Sequence, residues 1–122
     1  RSEYLLGYCT KFGDNAADIQ PILHLYKTEV YEMARELSIP ESIIIKAPSA
    51  GLWAGQSDEG EIGLSYAAID AALQALEKNR WQAATAAEEK VLALVARSAH
   101  KRMPAPSLSA EPTGQERTAP GN

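Results

Sequence analysis

Residues 27–37 read KTEVYEMAREL, with Val30, Met33, Ala34 and Leu37 at positions i, i+3, i+4 and i+7. That spacing lines four apolar side chains along one face of a 3.6-residue helix. Ser38-Ile39-Pro40 closes the segment, because the residue before a proline is pushed out of the α region. A helix over about Thr28–Leu37 is expected. Further along, Ser65 is a good N-cap residue, and Tyr66, Ile69, Leu73 and Leu76 share a face before the polar Lys78-Asn79-Arg80. Asp70 lies near the positive end of that second helix, where a negative charge is favourable. A third helix is expected over about Ala83–Ala99. It has Glu88 and Glu89 early, Arg97, His100 and Lys101 late, and a core face of Val91, Leu94 and Val95.

Between the first two helices lies KAPSAGLWAGQSDEGEIG (46–63), dense in Gly, Pro, Ser and acid. At this length it exceeds a simple connector, and long irregular loops in compact domains tend to be functional or disordered. Trp53 inside it favours order, and its acids Asp58, Glu59 and Glu61 are read as solvated. The opening SEYLLGYC (2–9) fits a helix or a strand by periodicity. TKFGDNAADIQPI (10–22) has Gly-Asp-Asn turn chemistry followed by a short apolar run. The order read here is helix, loop, then a short strand at Ile19–Leu23. Such mixed signals suit part of an α/β layer better than a self-contained bundle.

Composition narrows the function classes. The 122 residues carry 12 Lys+Arg against 16 Asp+Glu, a formal charge of −4, which argues against nonspecific nucleic-acid binding, since that affinity needs a basic surface. No run approaches the roughly 20 apolar residues of a membrane span. One cysteine, Cys9, cannot make an internal disulfide, so the chain reads as intracellular, with Cys9 small and partly buried. From Pro104 to Asn122 the sequence holds four of the seven prolines and almost no large apolar side chains, and it is expected to be a flexible tail. The chain starts at Arg1 without a signal-peptide pattern and reads as a fragment.

The strings SEYLLGYCTKFGDNAADIQPILHLYKTEVYEMAREL, KAPSAGLWAGQSDEGEIGLSYAAIDAAL and SAHKRMPAP together resemble the C-terminal half of the ammonia-dependent NAD synthetases, in that family's order and spacing. The resemblance runs from Arg1 to about Met103, so that residues 1–103 are expected to belong to the synthetase domain and 104–122 to the tail. It implies the C-terminal, helix-rich portion of a Rossmann-like α/β adenine-nucleotide-binding fold, a homodimer and a cytoplasmic setting. It also implies an enzyme that activates the carboxylate of deamido-NAD with ATP and Mg²⁺, releases pyrophosphate and amidates the adenylate with ammonia.

Residue by residue, Glu3 matches the family's metal carboxylate, consistent with Mg²⁺ being held by one or two carboxylates plus phosphate oxygens and water. Lys27 and Ser49 match ATP contacts, and Lys11, Asp18, His100 and Lys101 match deamido-NAD contacts. Taken without the resemblance, each has a plainer role. Glu3 would be a solvated helix-start acid, Lys27 a lysine extended into solvent, and Ser49 and Asp18 turn-bonding loop residues. Lys11 would be loop solvation, and His100-Lys101 would complement a helix C-terminus. Cys9, Asn15 and Ala54 stand where the family commonly has an aromatic residue, a glycine and a proline. The family's Gly-rich SGGxDS pyrophosphate loop does not occur in these residues, which are expected not to catalyse the reaction alone. Two alternatives stand beside this reading: the synthetase portion of a glutamine-dependent NAD synthetase, and a noncatalytic helical interaction module.

Overall fold

The computed structural model describes residues 1–14, 16–106 and 108. In chain order the helices are α1 (Ser2–Leu6), α2 (Lys27–Glu36), α3 (Glu41–Ile44), α4 (Asp58–Ile62), α5 (Tyr66–Lys78) and α6 (Ala86–Arg97), followed by a 3-10 turn at Ala99–Arg102. α5 is the hub. It packs against α6, α2 and α1, and its Ile69, Leu73 and Leu76 are wholly buried together with Val91 of α6. Leu6, Tyr26, Tyr66 and Ala72 complete the same core. The apolar stripe read from the sequence at 66–76 is therefore the face that organises the molecule.

Local chemistry sets the helix ends. Ser65 caps α5 by accepting from the Ala68 amide at 3.3 Å, as its residue type predicts. Thr85 does the same for α6 from the Glu88 amide at 3.2 Å, and Glu88 reaches back to the Ala84 amide at 2.8 Å. The third helix is thus shorter than the expected Ala83–Ala99, because Thr85 starts it and the chain tightens into the 3-10 turn after Ser98. α2 ends at Glu36, with Ser38 in a left-handed conformation before Pro40.

The expected strand at Ile19–Leu23 does not form, and there is no strand among the described residues. Pro21 lacks an amide donor, and the segment closes instead into turns through Leu23 N to Gln20 O (3.2 Å) and Leu25 N to Ile22 O (3.0 Å). The run also has no neighbouring strand to pair with, so its apolar residues stay at the surface, Ile19 being 78% exposed. The loop at 46–63 contains the short α4, capped by Ser57. The expected flexible tail lies, beyond Pro106 and apart from Leu108, outside the described residues.

Candidate functional site

A cavity of about 780 Å³ opens between α1, the start of α2 and the loop carrying Ser49 and Trp53. Glu3, Lys27, Ser49 and Lys101, which lie far apart in sequence, all line it. At its floor Lys27 Nζ donates to Glu3 Oε1 at 2.7 Å, and the lysine side chain is the better shielded of the two. The same ammonium lies 5.4 Å from the Tyr66 ring centroid and 5.9 Å from that of Tyr31, so its charge is also met by two aromatic faces.

The start of α2 is built by residues from three helices. Its N-cap residue, Tyr26, offers no capping side chain, and Glu29 binds the Tyr26 amide at 2.7 Å. The next two amides are served from outside α2. Lys27 N donates to Ser2 Oγ (2.9 Å) and Thr28 N donates to Asp70 Oδ2 (2.8 Å), while Ser2 Oγ donates to Asp70 Oδ1. Asp70 therefore does more than sit favourably in its own helix, since it caps the start of α2.

Ser49 is exposed, and its hydroxyl accepts from the Gly51 amide at 3.0 Å, the local bonding expected of a loop serine. Lys101 extends its ammonium to the carbonyls of Gly7 (2.6 Å) and Cys9 (2.8 Å), tying the 3-10 turn to the end of α1. A second concavity is lined by Lys11 and Asp18 and shares Lys101 with the first. Lys11 lies 5.3 Å from the Phe12 ring centroid, and Asp18 is exposed. His100 is exposed, with Nδ1 3.2 Å from Arg97 O, and lines neither concavity. The structure thus brings Glu3, Lys27, Ser49 and Lys101 together around one cavity and Lys11, Asp18 and Lys101 around an adjoining one, and leaves His100 out of both.

It misread Asp58. Expected to be solvated, Asp58 is 4% exposed and lines the large cavity. Its Oδ2 accepts from Tyr66 Oη at 3.0 Å, while Oδ1 is buried with no hydrogen-bond partner among the described residues. Burial, then the charges of Glu3 and Asp58, push the Tyr66 hydroxyl well above its ordinary range, so it remains a donor. Close by, Tyr8 donates to Glu61 at 2.7 Å, and burial with that bond pushes the Tyr8 hydroxyl up to about 12. Cys9 is half-buried as expected, and burial pushes its thiol up. Ser57 before DEGEI was an available sign of a helix start, though not of which acid turns inward. Nothing local marks Ser2 or Asp70, whose partners lie more than 20 residues away.

The cavity combines a cation at a helix start, a carboxylate able to take a hard metal, and aromatic walls. The NAD synthase family model matches residues 1–105. The NH(3)-dependent NAD(+) synthetase of Methanoregula boonei is 69% identical over 112 residues, covering 92% of this chain and 45% of that protein. The protein of the same name from Thermoplasma volcanium is 50% identical over 109 residues, covering 89% of this chain and 45% of that protein. The chain thus spans less than half the length of these relatives. The solved structure of NMN synthetase from Francisella tularensis is similar with a TM-score of 0.75 and 43% identity, over 89% of this chain and 44% of that one. With most of its length matched in both sequence and architecture, this chain belongs to the NAD synthase family.

Proposed function

We propose that this chain supplies the nucleotide-binding cavity of an ammonia-dependent NAD synthetase, an ATP-dependent ligase of NAD biosynthesis. The observation that carries the reading is the Glu3–Lys27 ion pair on the floor of a cavity that Ser49 and Lys101 also line. The ammonia-dependent names of the relatives favour this branch over the glutamine-dependent one and over a noncatalytic module. In the proposed reaction a carboxylate oxygen of deamido-NAD attacks the α-phosphorus of ATP, and the bond from that phosphorus to the β-phosphate bridge breaks to release pyrophosphate. The ammonia nitrogen then attacks the activated carbonyl carbon, AMP leaves with the electron pair of the broken bond, and the nitrogen loses a proton to give the amide.

The chain's own groups match the charges in that sequence of events. Lys27 would meet phosphate oxygens, and a helix N-terminus beside it favours anions. Ser49 would turn its hydroxyl to the same nucleotide. Glu3 is the residue that would hold Mg²⁺ with phosphate oxygens and water, which suits an ion normally bound by one or two carboxylates. Among the described residues no cluster of three or more acids, histidines or cysteines forms a protein-only metal cage, so the fit is to a metal shared with the nucleotide. Bound Mg²⁺ supplies neutralisation of phosphate charge. Because Glu3 and Lys27 neutralise one another, a magnesium nucleotide offers each the opposite charge that the other now provides. Lys11, Asp18, His100 and Lys101 would contact deamido-NAD, with the second concavity as its seat.

The same proposal includes a Rossmann-like α/β layer to which these helices contribute, a homodimer, a cytoplasmic setting and a division into residues 1–103 and the tail at 104–122. The likeness to the Francisella structure supports the layer fold. No described helix is long and apolar enough to cross a membrane. The test uses the natural gene product with ATP, Mg²⁺ and ammonium, assaying deamido-NAD and nicotinate mononucleotide side by side because the Francisella protein is an NMN synthetase. Lys27→Ala should lower kcat/KM for ATP by about 10- to 150-fold, the equivalent of losing one charge-assisted contact of ~1.5–3 kcal/mol. Unchanged ATP kinetics would remove Lys27 from the site, and preference for the mononucleotide would replace the assigned substrate.

A further inference from the structure

Lys27 carries its charge at the first position of α2, where the helix dipole opposes a cation. Two buried side chains from other helices act on that turn. Ser2 is 1% exposed and Asp70 is 2% exposed. Ser2 Oγ accepts from the amide of Lys27 itself (2.9 Å) and donates to Asp70 Oδ1, and Asp70 Oδ2 accepts from the amide of Thr28 (2.8 Å). Both carboxylate oxygens are thereby used, as a buried carboxylate requires. The bonds join α1, α2 and α5 at one point, and Ser2 immediately precedes Glu3, the partner of the Lys27 ammonium.

We propose that Asp70 and Ser2 are positioning residues for nucleotide binding: they clamp the first turn of α2 onto α1 and so hold Lys27 and Glu3 in facing positions at the cavity floor. The inference rests on the reading of Lys27 as an ATP contact. Asp70 also places a negative charge behind the helix start, which offsets the unfavourable placing of Lys27. Ser2→Ala removes the hydrogen bond from the Lys27 amide and the one to Asp70 Oδ1 while keeping a helix-forming residue in α1. Asp70→Asn takes the charge off the bond to the Thr28 amide, and the Ser2 contact survives only with Ser2 Oγ turned to accept from the new side-chain amide, so both bonds are weakened.

The experiment uses the natural gene product, with Ser2→Ala, Asp70→Asn and Lys27→Ala made singly and Ser2→Ala combined with Lys27→Ala. Two quantities are read: hydrogen exchange at the Lys27 and Thr28 amides without nucleotide, and KM for ATP and for deamido-NAD at temperatures well below unfolding. Ser2→Ala and Asp70→Asn are expected to speed exchange at those amides about tenfold or more and to raise KM for ATP about tenfold, with KM for deamido-NAD within about twofold. In the Lys27→Ala background Ser2→Ala should add nothing to the ATP defect, the non-additivity of residues acting as a unit. Equal losses for both substrates, or the same loss without Lys27, would make the clamp merely structural and overturn the proposal. Should Lys27→Ala weaken ATP while Ser2→Ala and Asp70→Asn do not, the positioning role falls and the Lys27 assignment survives. Should amide exchange respond while Lys27→Ala leaves ATP unchanged, the assignment of Lys27 has failed and the positioning role falls with it. If Asp70→Asn does not fold, Ser2→Ala alone decides.

Discussion

Asp58 is buried with only one of its side-chain oxygens bonded among the described residues, and Tyr66 supplies that bond. Tyr66→Phe should therefore leave the carboxylate buried and wholly unpaired, at a cost of about 1–3 kcal/mol measured by urea unfolding. A change near zero would mean that Asp58 turns to solvent when the hydroxyl is removed. Glu77 shows the opposite balance. Burial pushes its carboxyl up, but the hydrogen bonds from Tyr26 (2.7 Å) and Arg1 outweigh burial and hold it below its ordinary 4.5. A carboxyl with a depressed folded-state value contributes stability that is fully present above the unfolded value and is lost as pH falls through the folded one. Stability should therefore begin to drop below about pH 4.5, and Glu77→Gln should flatten part of that slope in a series of unfolding curves. The two residues were unequally visible in the sequence. Nothing in QSDEGEIG separates Asp58 from its exposed neighbours Glu59 and Glu61, because its burial comes from the side chain of Tyr66 and from the Asp58 amide folding back to Pro48 O at 3.0 Å.

Helix starts were more legible than helix partners. The Ser65 cap and the stripe from Tyr66 to Leu76 are local features, so α5 lies where the periodicity put it. Thr85 is also local, but the alanines on both sides blur where the third helix starts. Thr85→Ala should cost about 1 kcal/mol in thermal unfolding, the usual loss for an N-cap. The strand expected at Ile19–Leu23 failed because strand formation depends on a neighbour that an apolar run cannot announce by itself. The end of α1 depends on another element in the same way. Gly7 has φ +67°, and a Cβ there would lie 2.2 Å from Ser98 Cβ, since the helix end is pressed onto the close of α6. Gly7→Ala should thus combine ~1–2 kcal/mol of left-handed backbone strain with about 1–3 kcal/mol of overpacking, visible as a large fall in the unfolding midpoint. An effect below about 1 kcal/mol would show that α1 can pull away from Ser98 cheaply, and the Lys101 tether to the Gly7 carbonyl would then be expected to loosen with it.

At the scale of the whole molecule, the matched polar residues and the core point to different completeness. α5 and its partners bury a continuous apolar cluster, yet Phe12, Ile22, Leu37, Ile43, Ile45, Leu52 and Trp53 are each half or more exposed. The cavity pairs a lysine ammonium with a carboxylate, but the sequence contains no Gly-rich SGGxDS loop to cradle phosphates with backbone amides. A point charge such as Lys27 can attract a triphosphate, whereas in-line attack at its α-phosphorus needs the chain of phosphates held in one orientation. Binding and turnover should accordingly separate in these 122 residues. Incubated with ATP, Mg²⁺, deamido-NAD and ammonium, they should release no pyrophosphate above the protein-free rate in a coupled phosphate assay. Pyrophosphate release that depends on deamido-NAD and vanishes in Lys27→Ala would instead show that Lys27, Ser49 and the walls of the cavity suffice to orient the phosphates, and would move the chemistry of the family onto this chain alone.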